Sequence, residues 1–381
     1  MGSQLVQLME KCHYPTADQA RFLEIFTLYI APFMGPPTTQ WPSFMTDDHT
    51  PVELGLAWKG SRSNSGGQTD RRCRPQVRFS VEPIDAEEVM VQKTNVTAAL
   101  FMVSALVSAN LADRTLFDDI YKTICSNPGD SRGQFQSQVF LGFDIVENGS
   151  VSVKAYFVLT KEWRSEQAIQ PMVERVNRRI GSSSSSSSSS FTPLSRHLDS
   201  LPPHEKGFPI ILSIDMVTPS NSRCKLYWRY PRLDGIKKAS QHLHLPSDSC
   251  DSSPLWNSVL SSTLDTITND NICTTSTSDH PTGGLLVYYD MARSEGKAPH
   301  SKAYFPIRHM FKQNQNESRL ASCIASLLDD DGFEYGSTIA SVLGQNGRLI
   351  NGTHTYLCIE LKKSRPVYSV YFKPCLQHSP S

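Results

Sequence analysis

Residues 46–58 read TDDHTPVELGLAW, and the alternation after Pro51 decides how the rest of the chain is read. Val52, Leu54, Leu56 and Trp58 fall on one face of a strand, while Glu53, Gly55 and Ala57 fall on the other. The second face carries one carboxylate and two of the smallest side chains, as a strand would if Glu53 pointed into a space kept open. A single Glu on a strand usually lies on a solvated face. Its meaning depends on whether the pattern recurs.

It recurs along the chain. After a Gly/Ser-rich loop (Gly60 to Thr69), Gln76 to Pro83 alternates again, with Arg78 on the polar face; the matched faces predict a hairpin with Arg78 opposite Glu53. A second hairpin joins 139–145 to 151–159 through Asn148-Gly149, a strong turn signal. Three more pair 210–216 with 222–230, 285–291 with 301–307, and 354–361 with 366–372. Helical periodicity lies between them: 17–33 with a stripe of Phe22, Ile25, Phe26, Tyr29 and Ile30, stretches within 87–125, then 162–180, 254–268 and 317–328. Nine serines at 182–190 cannot bury apolar surface, so about 181–191 is expected to be a disordered surface loop.

Five hairpins separated by helix imply a repeated unit that buries its apolar face only against neighbours. The expectation is an α+β fold: a ten-stranded antiparallel barrel in one domain spanning 1–381, ringed by helices on its apolar outside, with polar faces around a lumen too wide for side chains to fill.

Composition narrows the function. With 37 basic and 37 acidic residues the formal charge is zero, which gives no reason to expect nucleic acid or an anionic membrane as partner. The nine cysteines show no C-x-x-C pair or zinc-ligand spacing, and the N-terminal segment lacks the apolar core of a secretory signal, so a cytoplasmic protein is expected. No apolar run reaches the ~20 residues of a membrane helix. Asp329 to Asp331 with Glu334 has a D-D-x-x-E spacing, and Asp47-Asp48 precedes the Glu53 strand. The first reads as a solvated helix end and the second as turn chemistry, so no metal site is expected.

The polar faces together bring Glu53; Arg78, Lys154, Arg223, Lys225 and Lys302; and Tyr156, Tyr227, Tyr304, Tyr356 and Tyr371. One Lys-x-Tyr is common on an exposed sheet, but its recurrence in three hairpins is not. Converging cations call for a polyanion, and tyrosine faces attract cations at roughly 0.5–2 kcal/mol each once dry. Both together suit ionisation of an allylic diphosphate, with the anion drawn toward Lys and Arg and the carbocation held among tyrosines. Glu53 would hold or take the N–H or O–H proton of an aromatic acceptor. A non-catalytic carrier of a lipophilic anion is the rival reading, and it leaves Glu53 without a task.

The segments SFMTDDHTPVELGLAW, VRFSVEP, KAYF, RCKLYWR, KAYFPIRH, TYLCIEL and SVYFKP resemble, in order and spacing, the fungal dimethylallyltryptophan-synthase-type aromatic prenyltransferases. The resemblance runs from about Tyr14 to Pro374. It implies an ABBA-type prenyltransferase barrel and transfer from dimethylallyl diphosphate to a small aromatic acceptor in secondary metabolism, without required metal or cofactor. By matching motif, Glu53 and Lys154 become the catalytic candidates, Arg78, Lys154, Arg223, Lys225 and Lys302 the diphosphate ligands, and the five tyrosines the cation shield. An indole is the first choice of acceptor because Glu53 suits an N–H donor, and a phenolic polyketide or xanthone is the alternative. A homodimer is left open. The resemblance departs at the start, where the stretch ahead of His13-Tyr14-Pro15 is shorter than the family's first helix; at Lys302, a position often held by Gln; and at the serine run.

Overall fold

The computed structural model describes residues 1–35, 41–46, 48–58, 75–85, 94–125, 137–181, 191–230, 236–245, 253–268, 282–291, 299–310, 317–328, 333–362 and 364–375. Ten strands follow one another as β1 (Val52–Ala57), β2 (Gln76–Val81), β3 (Val139–Ile145), β4 (Val151–Val158), β5 (Phe208–Asp215), β6 (Cys224–Tyr230), β7 (Leu285–Asp290), β8 (His300–Phe305), β9 (His354–Lys362) and β10 (Arg365–Phe372). Each pairs antiparallel with its chain neighbour, and β1 pairs with β10, Leu54 opposite Phe372, to close the barrel. The expected α+β barrel with helices outside is therefore present. The Gly/Ser-rich loop, the serine run, Asp47 and Asp329 to Asp331 lie outside the described residues.

Strand alternation sets the two faces of the wall. Leu54, Leu56, Phe79 and Phe143 point outward into a fully buried layer beneath the helices. Phe79 stacks on Phe143 with centroids 4.8 Å apart and meets Phe22 and Phe26 edge-on, which joins two strands to the first helices. Each such ring contributes about 1.5–3 kcal/mol by burial. The β3–β4 turn follows from its sequence: Asn148 and Gly149 have φ of 66° and 65°, and a Cβ on Gly149 would stand 2.2 Å from the Asp18 carbonyl oxygen.

The helices refine the sequence reading. The expected helix over 17–33 is an α-helix only over Thr16–Ile25, followed by a π-helical turn (Phe26–Ile30) and a 3-10 turn (Ala31–Phe33). The wider turn keeps Phe26 and Ile30 on the same buried side as Phe22. The short N-terminal stretch is a helix of its own, Gly2–Lys11, burying Leu5, Leu8 and Met9. Gln4 Nε2 donates to the Cys375 carbonyl at 2.9 Å, tying the described beginning and end of the chain together. Among the described residues, six cysteines are free thiols, and no helix is long and apolar enough to cross a membrane.

Candidate active site

The lumen holds two adjoining chambers. The larger, about 200 Å³, is lined by Arg78, Lys154, Arg223, Lys225 and Lys302 together with Gln76, Asp144, Tyr288, Glu360, Lys362 and Ser369. The smaller, about 70 Å³, is lined by Glu53, Phe44, Met45, Phe140, Ile210, Ile211, Leu286 and Tyr356. Ser80, Tyr156, Tyr227, Tyr304 and Tyr371 belong to both, so a belt of tyrosines separates a polar compartment from an apolar one. All eleven residues singled out from the sequence line one chamber or the other. Arg223 does so from the position just ahead of β6.

The cations are already paired. Asp144 on β3 contacts Lys154 Nζ at 2.5 Å and Arg78 Nε at 3.5 Å. Asp215 at the end of β5 contacts Arg223 Nε at 2.5 Å and Lys225 Nζ at 3.2 Å. Glu360 takes His300 Nε2 at 2.7 Å and Lys362 Nζ at 3.3 Å. Lys302 donates to Ser369 Oγ at 3.0 Å and stands 5.3 Å from the Tyr304 ring centre. Burial works against charge throughout. It lowers Lys154 to about 8 against the opposing pull of Asp144, and it lowers Lys225 and Lys302. For Arg78 the same desolvation is overcome by Asp144, so the guanidinium stays charged more firmly than in water. Asp144, although buried, is held well below the usual carboxylate range by Arg78 and Lys154.

The tyrosine belt is continuous. Tyr227 lies 5.9 Å from Tyr156, 5.5 Å from Tyr288 and 5.8 Å from Tyr304, while Tyr304 reaches Tyr356 at 6.2 Å and Tyr371 at 6.1 Å. Two glycines make room for it. A Cβ on Gly55 would stand 2.9 Å from Tyr371 Cδ1, and one on Gly142 would stand 2.8 Å from Tyr156 Cε2. Burial raises Tyr227 to about 12, so the ring enters the site as a neutral phenol.

Two details of the Glu53 strand differ from the sequence reading. Glu53 stands opposite Ser80 on β2, and Arg78 stands opposite Gly55, because the hairpin register is offset by two residues from that expected. Arg78 accordingly pairs with Asp144, while Glu53 Oε1 accepts from Thr355 Oγ1 at 2.6 Å. The space left by Gly55 is taken by Tyr371 and the Arg78 stem rather than kept open, and Ala57 faces the polar chamber.

One wall of the apolar chamber is a segment without secondary structure, Trp41 to Thr46, held by Glu82. This fully buried carboxylate follows β2 directly. It accepts from the backbone N–H groups of Phe44 and Met45, each at 3.0 Å, from Trp41 Nε1 at 3.1 Å, and from Ser137 Oγ at 2.5 Å. Burial pushes its pKa up to about 7 despite these donors.

The arrangement is matched among known proteins. The model of the tryptophan dimethylallyltransferase family covers residues 1–338. The chain belongs to that family. Among its relatives, the 4-O-dimethylallyl-L-tyrosine synthase of Claviceps purpurea is 26% identical, over 98% of this chain and 86% of its own. The 7-dimethylallyltryptophan synthase of Aspergillus fumigatus is 22% identical, over 97% and 83%. The Xanthone prenyltransferase A of Emericella nidulans is 22% identical, over 94% and 87%. The fold is that of NotF in complex with brevianamide F and DMSPP, at a TM-score of 0.74 and 17% identity, covering 98% of this chain and 92% of that one. It is also that of 5-dimethylallyl tryptophan synthase from Streptomyces coelicolor, at a TM-score of 0.71 and 16% identity, covering 100% and 95%.

Within this dimethylallyltransferase family member, the lumen residues that the sequence reading passed over stand on or beside the strands that carry its candidates. Glu360 is four residues from Tyr356 on the same face of β9, whereas Asp144 and Asp215 lie on strands from which no candidate was drawn and stand opposite Arg78 and Lys154 on the neighbouring strands. Tyr288 stands opposite Lys302 on the neighbouring strand. Glu82 and the segment it holds carry no periodic signal.

Proposed function

We propose that the chain, an aromatic prenyltransferase, moves a dimethylallyl group from dimethylallyl diphosphate to an electron-rich ring, with an indole as the preferred acceptor. Arg78, Lys154, Arg223, Lys225 and Lys302 bind the diphosphate. As the allylic C–O bond breaks, its electron pair leaves on the diphosphate oxygen, and the side chains already gathered there stabilise the charge without reorganising. The allylic cation is carried by the tyrosine belt, where each contact at roughly 0.5–2 kcal/mol approaches a tenfold rate effect. The acceptor lies in the apolar chamber with its N–H or O–H on Glu53. Its ring attacks the cation, and the proton on the alkylated carbon passes to an oxygen of the released diphosphate, which restores aromaticity. The charge is met by protein cations, so the reading calls on no metal.

The observation that supports this reading is the set of tyrosines shared by both chambers, since a cation held among them would lie where donor and acceptor meet. Glu53→Gln tests it. Turnover with dimethylallyl diphosphate and indoles is expected to fall about 100-fold while donor KM changes less than threefold, within the ~10²–10⁴ that a positioned acid or base contributes. Undiminished turnover would remove Glu53 from the mechanism. In excess chelator the wild-type rate is expected to persist, and its loss would point to an acidic metal site.

A further inference from the structure

We infer that the acceptor is an electrically neutral aromatic molecule, and that a free α-amino acid is a poor substrate. The inference rests on the prenyl-transfer reading and sharpens it, because two of the relatives carry L-tyrosine or tryptophan in their names and a third carries xanthone.

The interior of the barrel is not uniformly polar. Phe44, Met45, Phe140, Val158, Ile210 and Ile211 form, with Tyr227 and Tyr288, an apolar cluster of their own inside the lumen, separate from the core beneath the helices. Most of these side chains, with Leu286, are the walls of the acceptor chamber, where Glu53 is the charged lining residue among the described residues. An amino-acid head brings a carboxylate and an ammonium. Each loses hydration on entering such walls and recovers it only against a partner. Turned toward Glu53, the carboxylate meets a like charge. Turned away, it meets Phe, Met, Ile and Leu, with only the neutral hydroxyls of Ser80, Thr282 and the tyrosines as donors among the described lining residues.

Two neighbouring arginines are engaged by backbone carbonyls, and Arg308 with His309 lines a small side pocket that shares Met45, Thr282 and Tyr356 with the acceptor chamber. Arg229, two residues past Tyr227, donates Nε to the Gly283 carbonyl at 2.9 Å and lies 5.9 Å from the Phe208 ring centre. Arg308 donates to the Gly352 carbonyl at 2.7 Å. The five basic residues of the other chamber stand beyond the tyrosines, where the donor's diphosphate is placed. A flat neutral ring has the opposite balance: its apolar area replaces water along the walls and its single N–H or O–H reaches Glu53.

The test pairs acceptors that share a ring. L-Tryptophan is set against 3-methylindole and N-acetyl-L-tryptophanamide, and L-tyrosine against p-cresol and N-acetyl-L-tyrosinamide, with dimethylallyl diphosphate as donor and products identified by mass. In each set a neutral member is expected to show at least tenfold higher kcat/KM than the free amino acid. A free amino acid turned over as well as its neutral partners overturns the inference and leaves prenyl transfer standing. Alkylation of none of these rings, nor of a hydroxyxanthone, overturns the prenyl-transfer reading and the inference with it. Leu286→Arg puts a cation in the wall, and the rate on L-tryptophan relative to 3-methylindole is expected to rise at least tenfold. An unchanged ratio refutes the role given to the walls.

Discussion

The two chambers meet at one belt of tyrosines and solve opposite problems. On the donor side charge is abundant and already balanced: Asp144 and Asp215 each hold two cations of the site. On the acceptor side Glu53 is the one lining carboxylate among the described residues, and it accepts a hydrogen bond from the neutral hydroxyl of Thr355. The contrast shows how one lumen can favour separation of an ion pair. On the proposed reading, the anion meets side chains whose charge is in place before it arrives, and the cation moves toward a region of rings.

The sharpest way to break this comparison is at the belt. Tyr227→Leu removes the ring that touches Tyr156, Tyr288 and Tyr304, and is expected to lower kcat about 100-fold with donor KM little changed. A variant altered only in KM would make the belt a binding wall rather than a cation shield. Asp144→Asn comes next. With its partner neutral, Lys154 loses the interaction that opposes desolvation, and donor KM is expected to rise about tenfold while acceptor KM holds, measured by steady-state kinetics. A parallel change in acceptor KM would mean that the chambers are not independent.

The pH dependence is gentler. Lys154 is lowered to about 8 by burial, so it is charged below that pH and loses its proton above it. Donor KM is therefore expected to be flat from pH 6 to 7 and to rise about threefold by pH 9. Glu82 gives the smallest effect on turnover and a distinct one on stability. Its pKa is raised in the fold to about 7, so its protonated form is favoured by folding. Stability from this group is fully present below the unfolded value near 4.5 and is lost as pH rises toward 7. Glu82→Gln is expected to flatten that part of the Tm profile and to raise acceptor KM about twofold by loosening Phe44 and Met45. An unchanged Tm profile would show that Glu82 does not titrate in this range.

What could be read from the sequence follows from where physical constraint was local. The strands were legible because each separates a helix-packed face from a lumen face, and because Asn148-Gly149 can turn in few ways. The cations and tyrosines were legible because their recurrence at i, i+2 has no ordinary surface explanation. Asp144, Asp215 and Glu360 were missed because converging cations were assigned a single counter-ion, the substrate, when the chain supplies part of the balance itself. The partners of Glu53 depend on register and on the irregular start of β9, where the pairing shifts between Tyr371 and Phe372 and brings Thr355 inward. Gly55 showed that space was needed, but its occupant, Tyr371, comes from the opposite end of the chain. The Trp41 to Thr46 wall is held by contacts distant in sequence, so no local pattern announces it.

Barrel closure carries a kinetic consequence. The bond from Thr355 to Glu53 spans 302 residues, and β1 gains its second neighbour only through β10. Contacts at such separation form late, because the loop entropy must be met before they contribute. During synthesis nine strands can assemble with one edge of β1 unpaired, and the tyrosine belt lacks Tyr371 until Arg365–Phe372 has emerged. On the proposed reading, the enclosure for the allylic cation is therefore completed only when β10 pairs with β1 and seals the barrel.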